Sequence, residues 1–414
     1  MKVVEVSAKG VLATTVGAEP WPSSERHGPI VVVELSNRSG RHAPFNAAFL
    51  QTVMRAFPER GIAFWADPTH LDAIRPLLDG EDGLAFHALT LWPDKAEVTH
   101  SSFARILHAI ATLRQIHRAH AGKTAAMIVS SSTPAGMFGA WIMQRMGGPP
   151  MQFPLHGEVN VLREGWRSRN PLARIIDLHA ALRWLPGQRF RILVLERHVA
   201  EAMVQLAPWL EGKVDFIPHP AGASLELEAL PDVPVRIGTL GIANRGRGFD
   251  LWMRTVAALA DVPGLAFHHV GAMHREFIGQ PMTGFTDPPD GAHLKREVYL
   301  ARLKALHYVC VPVQGSYYDL AASGTLLDAV AAGKPVIALR RRSMESFFQQ
   351  AGDIGFLCED EAELRQVLHN LANSFDPARH ARQAANMRRL RESRTPQALA
   401  DPYARILSQA MLAR

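Results

Sequence analysis

Apolar runs of strand length recur along this chain with helical stretches between them, and that alternation restricts the fold to parallel α/β layers. In the first half the runs are 30–35, 62–66, 84–91, 125–130, 151–155, 191–195 and 214–217. Stretches such as 45–57 and 103–120 separate them, with apolar positions recurring three and four apart as on one face of a helix. The second half repeats the theme at 235–240, 265–270, near Phe285, and at 308–312, 336–339 and 355–358. Its helices are expected at 248–259, 294–306, 323–332 and 361–373. Between the halves, Pro218, Pro220, Pro231, Pro234 and Gly222 prevent a continuous helix or a central strand, so the hinge is placed there. The chain, at 414 residues, exceeds what one core organises. We expect an α/β protein of two doubly wound, Rossmann-like domains, 1–219 and 220–375, followed by a polar helical tail, 376–414.

Composition narrows the class. Hydrophobic residues make up 47% and charged residues 20%, enough for a packed core in each half. Two cysteines, Cys310 and Cys358, cannot make a disulfide framework, which points to a reducing cytoplasm. Glu5, Lys9 and Glu19 interrupt the opening segment, so it does not read as a signal peptide. No residue between Lys123 and Arg145 is charged, yet Ser130, Ser131, Ser132, Thr133, Pro134 and Gly136 fall inside it, and a strand, turn and helix fit better than a membrane span. A net charge of +6 does not call for a nucleic-acid partner. The basic residues do concentrate locally: Arg163, Arg167, Arg169, Arg174, Arg183, Arg189 and Arg191 alternate with Trp166, Leu172, Ile175, Ile176, Leu182 and Trp184, against only Glu164 and Asp177. Such a stretch suits either an anionic membrane surface or a solvated helix face over an ordinary core contact.

The richest phrase is 321–339, AASGTLLDAVAAGKPVIAL. Ser323, Gly324 and Thr325 form a small-residue turn whose backbone N–H groups can face an anion, and the following helix points its positive end the same way. That is a diphosphate cradle, although any αβ unit of a doubly wound sheet shares part of the pattern. Other chemistries lack their motifs: there is no GxGxxG after the first strand, no P-loop, no HExxH and no CxxC, so neither a nicotinamide site nor a metal site is expected.

The phrase, with Asp328 on its helix and its Gly333-Lys334-Pro335-Val336-Ile337 exit, resembles the donor-site segment of GT-B-fold glycosyltransferases, in particular the large retaining sugar-nucleotide transferases. The stretch 235–251, VRIGTLGIANRGRGFDL, is similar to their strand–turn–cation phrase. The resemblance gives Gly238 the place of the first glycine, Arg247 the place of the family lysine, and Thr239 the place of the family arginine, so that Arg245 is the candidate for a second charge. Asp328 takes the ribose-binding place, Leu320 occupies the place of the other family carboxylate with Asp319 beside it, and Tyr317 or Tyr318 is placed to touch base or sugar. The loop 36–41, with Ser39 and Gly40, resembles the glycine-bearing loop of the family's first domain. His156-Gly157 resembles the histidine that closes a first-domain strand near the donor sugar. A histidine there can be structural, or it can bond a sugar hydroxyl or share a proton with Glu158.

The resemblance implies transfer of a sugar from a nucleotide-diphosphate donor, by retention and without a metal or other cofactor, to a saccharide or lipid-linked saccharide acceptor in surface polysaccharide synthesis. It implies a cytoplasmic protein, peripheral at the inner face of an anionic membrane. Two alternatives stay open at this level: a sugar-nucleotide epimerase of the same fold, and a catalytically silent partner subunit, the latter because Leu320 and Thr239 replace polar residues.

Overall fold

The computed structural model describes residues 28–40, 42–91, 103–131, 133–156, 159, 162, 171, 173–222, 225, 230–231, 233–289, 291–292, 294–315 and 319–413. The chain divides into two compact units, 1–222 with 395–414, and 223–394.

In the first unit the elements follow as β1 (Ile30–Glu34), α1 (Ala43–Ala56), β2 (Ile62–Ala66), α2 (Pro68–Ile74), β3 (Leu84–Ala88), α3 (Phe103–Ala119), β4 (Ala126–Ser130), α4 (Pro134–Arg145), β5 (Met151–Leu155), α5 (Leu178–Trp184), β6 (Phe190–Leu195), α6 (Arg197–Leu206) and β7 (Val214–Ile217). The strands form one seven-stranded sheet in the order β3-β2-β1-β4-β5-β6-β7, every pairing parallel. β1, β2, β4 and β5 are buried along their whole length, which explains why they read as unbroken apolar runs rather than alternating ones. Short polar residues start the helices: Asp67 accepts from the Thr69 N–H, Thr133 from Gly136, and Asp177 from Ala180.

The second unit continues with β8 (Val235–Leu240), α7 (Phe249–Ala258), β9 (Leu265–Val270), α8 (Arg296–Lys304), β10 (Tyr308–Val311), α9 (Gly324–Ala331), β11 (Val336–Leu339), α10 (Arg342–Ala351), β12 (Gly355–Cys358), α11 (Glu361–Asn373) and α12 (Pro377–Glu392). Its five strands pair in parallel as β12-β11-β10-β8-β9. Trp252, Phe249, Tyr308 and Leu364 fill the core on one face, and Leu326, Val330, Phe347 and Met387 on the other. Phe285 contributes a single parallel bridge to Phe267 rather than a strand.

The expected tail, 376–414, behaves as two pieces. α12 stays in the second unit, where Gln383 accepts from the Tyr308 hydroxyl and donates to Asp353 and Gly355. The last helix, α13 (Pro396–Leu412), belongs to the first unit. It packs on α1 with Tyr403 edge-on to Phe49 at 5.3 Å, and the Tyr403 hydroxyl donates to Gln152 at 2.7 Å. No helix among the described residues is long and apolar enough to cross a membrane.

Candidate donor site at the carboxyl edge of the second sheet

Strand order reverses between β8 and β10, and in open parallel sheets the crevice beyond the carboxyl ends at such a point is where ligands bind. Two loops meet there. The one after β8 turns at Gly241, enters a short 3-10 turn over Arg245–Arg247, and begins α7. Asn244 fixes the turn by accepting from the Arg247 N–H at 3.0 Å. Gly248 follows with φ 75°, and a side chain there would place its Cβ 1.8 Å from the Pro312 carbonyl oxygen, so only glycine fits. The backbone of Arg247 is therefore held from both sides.

The loop after β10 leads to the amino end of α9. Ser323 is the N-cap, 2% exposed, and its Oγ accepts from the Leu326 N–H at 3.3 Å. The Thr325 hydroxyl donates to the Leu240 carbonyl at 3.3 Å, tying the helix to the end of β8. A methyl group built on Gly241 would lie 2.5 Å from Arg247 Nη1 and 3.8 Å from Thr325 Oγ1, so guanidinium and helix terminus converge on this glycine. The Arg247 Nε is buried with no hydrogen-bond partner among the described residues. Gly324 has open space where a side chain would be. A guanidinium with an unmatched donor beside a helix amino terminus is an arrangement suited to an anion.

Behind Arg247 lies a cavity of about 20 Å³ lined by Thr239, Cys310 and His269 among others. His269 Nε2 lies 3.1 Å from the Ala272 carbonyl, which can only accept, so this nitrogen donates and Nδ1 accepts from the Thr239 hydroxyl at 2.9 Å. Burial, with Arg247 adding to it, pushes the His269 pKa down to about 4. The imidazole is thus a neutral prop, and the Thr239 hydroxyl supports it.

Asp328 sits one turn along α9. Its Oδ2 accepts from the Tyr299 hydroxyl at 2.5 Å. Burial raises the Asp328 pKa, while the Tyr299 bond, Arg296 and Arg247 pull it down. Burial also pushes the Tyr299 hydroxyl pKa up, with Asp328 next in effect, and the Arg296 guanidinium lies 5.5 Å over the tyrosine ring.

Set against the sequence expectations, Arg247, Ser323, Gly324, Thr325 and Asp328 come together here, with two differences of role. Ser323 spends its hydroxyl on capping the Leu326 amide, and Gly324 and Thr325 are the first residues of the helix. Asp328 is engaged by Tyr299, a residue that nothing in the sequence singled out. Gly238 is elsewhere: it lies inside β8, where a Cβ would meet Leu306 at 2.9 Å, so it is a packing glycine, and Gly241 is the one at the site. Arg245 turns away, its side chain 75% exposed and 3.7 Å from Glu276. Leu320 is fully buried. Tyr317 and Tyr318 lie outside the described residues.

In the first unit, Ser39 and Gly40 form a loop pinned to α2. The Ser39 N–H donates to Thr69 Oγ1 at 3.0 Å, and His70 Nδ1 donates to the Ser39 carbonyl at 2.7 Å. His156 ends β5 among rings, 4.3 Å from Phe45 and 4.7 Å from His42 between centroids. Burial, with His42 and His219, holds its pKa well below the usual histidine range. Glu158 lies outside the described residues, as do the basic and tryptophan positions 163–170. No cluster of metal-ligating side chains occurs among the described residues.

No family model and no curated protein matches the chain. Among solved structures, it is similar to the sucrose-phosphate synthase of Thermosynechococcus elongatus, with a TM-score of 0.64 at 15% identity over 94% of this chain and 100% of that one. It is similar also to an α,α-trehalose-phosphate synthase (UDP-forming) from Burkholderia vietnamiensis, with a TM-score of 0.58 at 12% identity over 93% and 98%. Anabaena HepE in complex with UDP-glucose gives a TM-score of 0.58 at 14% identity over 92% and 100%. Two parallel sheets, the strand orders above and near-complete coverage of these chains together establish that this protein has the GT-B fold.

Proposed function

We propose that the protein is a glycosyltransferase that takes a sugar from a nucleotide-diphosphate donor held in the second unit. The observation that carries this is Arg247: a guanidinium with a buried, unpartnered Nε, set against the amino end of α9 at the switch point of the sheet. In transfer, negative charge grows on the departing diphosphate. Arg247 and the Gly324 and Thr325 amides are arranged to stabilise it with little reorganisation. Asp328, positioned by Tyr299, is the ribose acceptor of hydrogen bonds. Structural neighbours include a protein solved with UDP-glucose, which favours a uridine donor.

The finer assignments follow the motif resemblance: retention of configuration, hexosyl transfer without a metal, a lipid-linked saccharide acceptor, and a cytoplasmic protein working at the inner membrane face. The test is incubation with a panel of sugar nucleotides, reading free nucleotide diphosphate and product sugar. Donor-dependent release is expected. Epimer formation in place of release, or binding without turnover, would refute transfer and support the epimerase or the silent subunit respectively.

A further inference from the structure

We propose that a groove on the first unit, formed around α5, is the surface by which the protein sits on an anionic phospholipid membrane. The groove is about 590 Å³, and its walls include Arg174, Ile175, His179, Arg183, Trp184 and Trp209. Trp184, at the end of the short helix α5, is 71% exposed and Ile175, in the 3-10 turn before it, 66%, whereas Leu178, Ala181 and Leu182 of the helix are buried. A soluble helix normally turns polar and acidic residues outward. Here the surface of the helix and of the turn before it carries an indole, an isoleucine, a histidine and arginines, and Asp177 is 2% exposed and serves as the N-cap of α5.

Arg183 completes the chemistry. Its guanidinium lies 4.8 Å over the Trp209 ring and 5.4 Å over that of Trp184, so the cation is held at the surface between two indoles rather than in an ion pair with an acid. Indole rings lodge at the headgroup level of a bilayer, where an apolar body and a polar edge are both satisfied. Arginines beside them match anionic headgroups. This combination of exposed rings with a guanidinium stacked on them favours a lipid surface over a protein partner or a soluble sugar. The inference deepens the proposed membrane-side acceptor and rests on that reading for its purpose, but its test needs no turnover.

The full chain is mixed with vesicles of phosphatidylcholine alone or with phosphatidylglycerol added, and the bound fraction is read by flotation. Binding is expected to the anionic vesicles, to weaken with salt, and to fall about fivefold for Arg183→Gln. Trp184→Ser with Ile175→Ser should lower it by tenfold or more, with donor hydrolysis in solution unchanged. All three positions are outside the donor crevice, so retained hydrolysis shows that the variants fold. Equal binding to neutral vesicles, or anionic binding untouched by both variants, would overturn the proposal. So would saturable binding of glycerol phosphate without vesicle binding, or concentration-dependent self-association lost in the tryptophan variant. Vesicle binding without donor turnover would leave the groove assignment standing and remove the transferase.

Discussion

Both sheets have a switch point at their carboxyl edge, and the chain has furnished the two oppositely. In the first unit the reversal between β1 and β4 is stitched shut. Glu34, fully buried, accepts from the Ser36 and Asn37 N–H groups through Oε1 and from the side chains of Asn37 and Asn46 through Oε2. Asn37 also donates to Ser131, Ser36 donates to the Ser131 carbonyl, and Ser130 donates to Asn46. Since His70 Nδ1 is committed to the Ser39 carbonyl, its Nε2 accepts the remaining Asn46 hydrogen. In the second unit the corresponding crevice holds Arg247 with an unmatched Nε. A satisfied buried network is scaffold, whereas a cation held beside a helix terminus with a donor to spare is prepared for something else.

Removing the centre of the closed crevice should have the largest effect. Glu34→Ala strips four donors of their acceptor and should cost about 3–4 kcal/mol of stability, read from the urea midpoint. A loss under ~1 kcal/mol would end the contrast between the two edges.

Acid should reach the open crevice next, through its prop. His269 is 3% exposed with its pKa pushed down to about 4, so the unfolded chain binds its proton first as pH falls. The contribution is intact above pH ~6.5 and is lost on the way down to about 4, on the order of 3 kcal/mol. Melting temperatures from pH 7.5 to 4.5 should fall less steeply in His269→Gln than in the parent; parallel curves would exclude this histidine as the cause.

Arg247→Ala should then weaken donor binding and turnover by about 2–3 kcal/mol, as for a lost charged hydrogen bond, while leaving the unfolding midpoint in place. Calorimetry with nucleotide diphosphates and steady-state kinetics check this, and unaltered values would take Arg247 out of the site. The smallest effect belongs to Tyr299→Phe, about 1 kcal/mol in donor affinity. Because the hydroxyl lowers the Asp328 pKa, its removal should shift the acid limb of donor binding to higher pH. An unmoved limb would make the pair merely structural.

Much of the fold was written in short-range pattern. Strands such as Ile62–Ala66, Val235–Leu240 and Val336–Leu339 begin and end where their apolar runs do, because each is buried and bounded by turn residues. The helix Glu361–Asn373 likewise starts at its Asp360 cap. What escaped is what depends on contacts distant in sequence. Gly238 and Gly241 look alike in the chain, and only the neighbouring strand tells them apart: Gly271, with φ 151°, presses so closely on Gly241 that a Cβ would stand 1.8 Å from its carbonyl oxygen. A second glycine at the end of the next strand was the available signal. Tyr299 reaches Asp328 across 29 residues and leaves no local trace. Arg245 and Arg247 share a turn, and the side-chain directions that separate them follow from Glu276 on a later loop.

The placement of α13 bears on how the polypeptide is made. Tyr403, fully buried, bonds to Gln152, 251 positions earlier, and its ring covers Phe49. A ribosome therefore releases the whole of residues 223–394 before the amino-terminal body can seal its own interior, and a nascent chain stopped at Arg394 would carry an unclosed hydrophobic seam along α1.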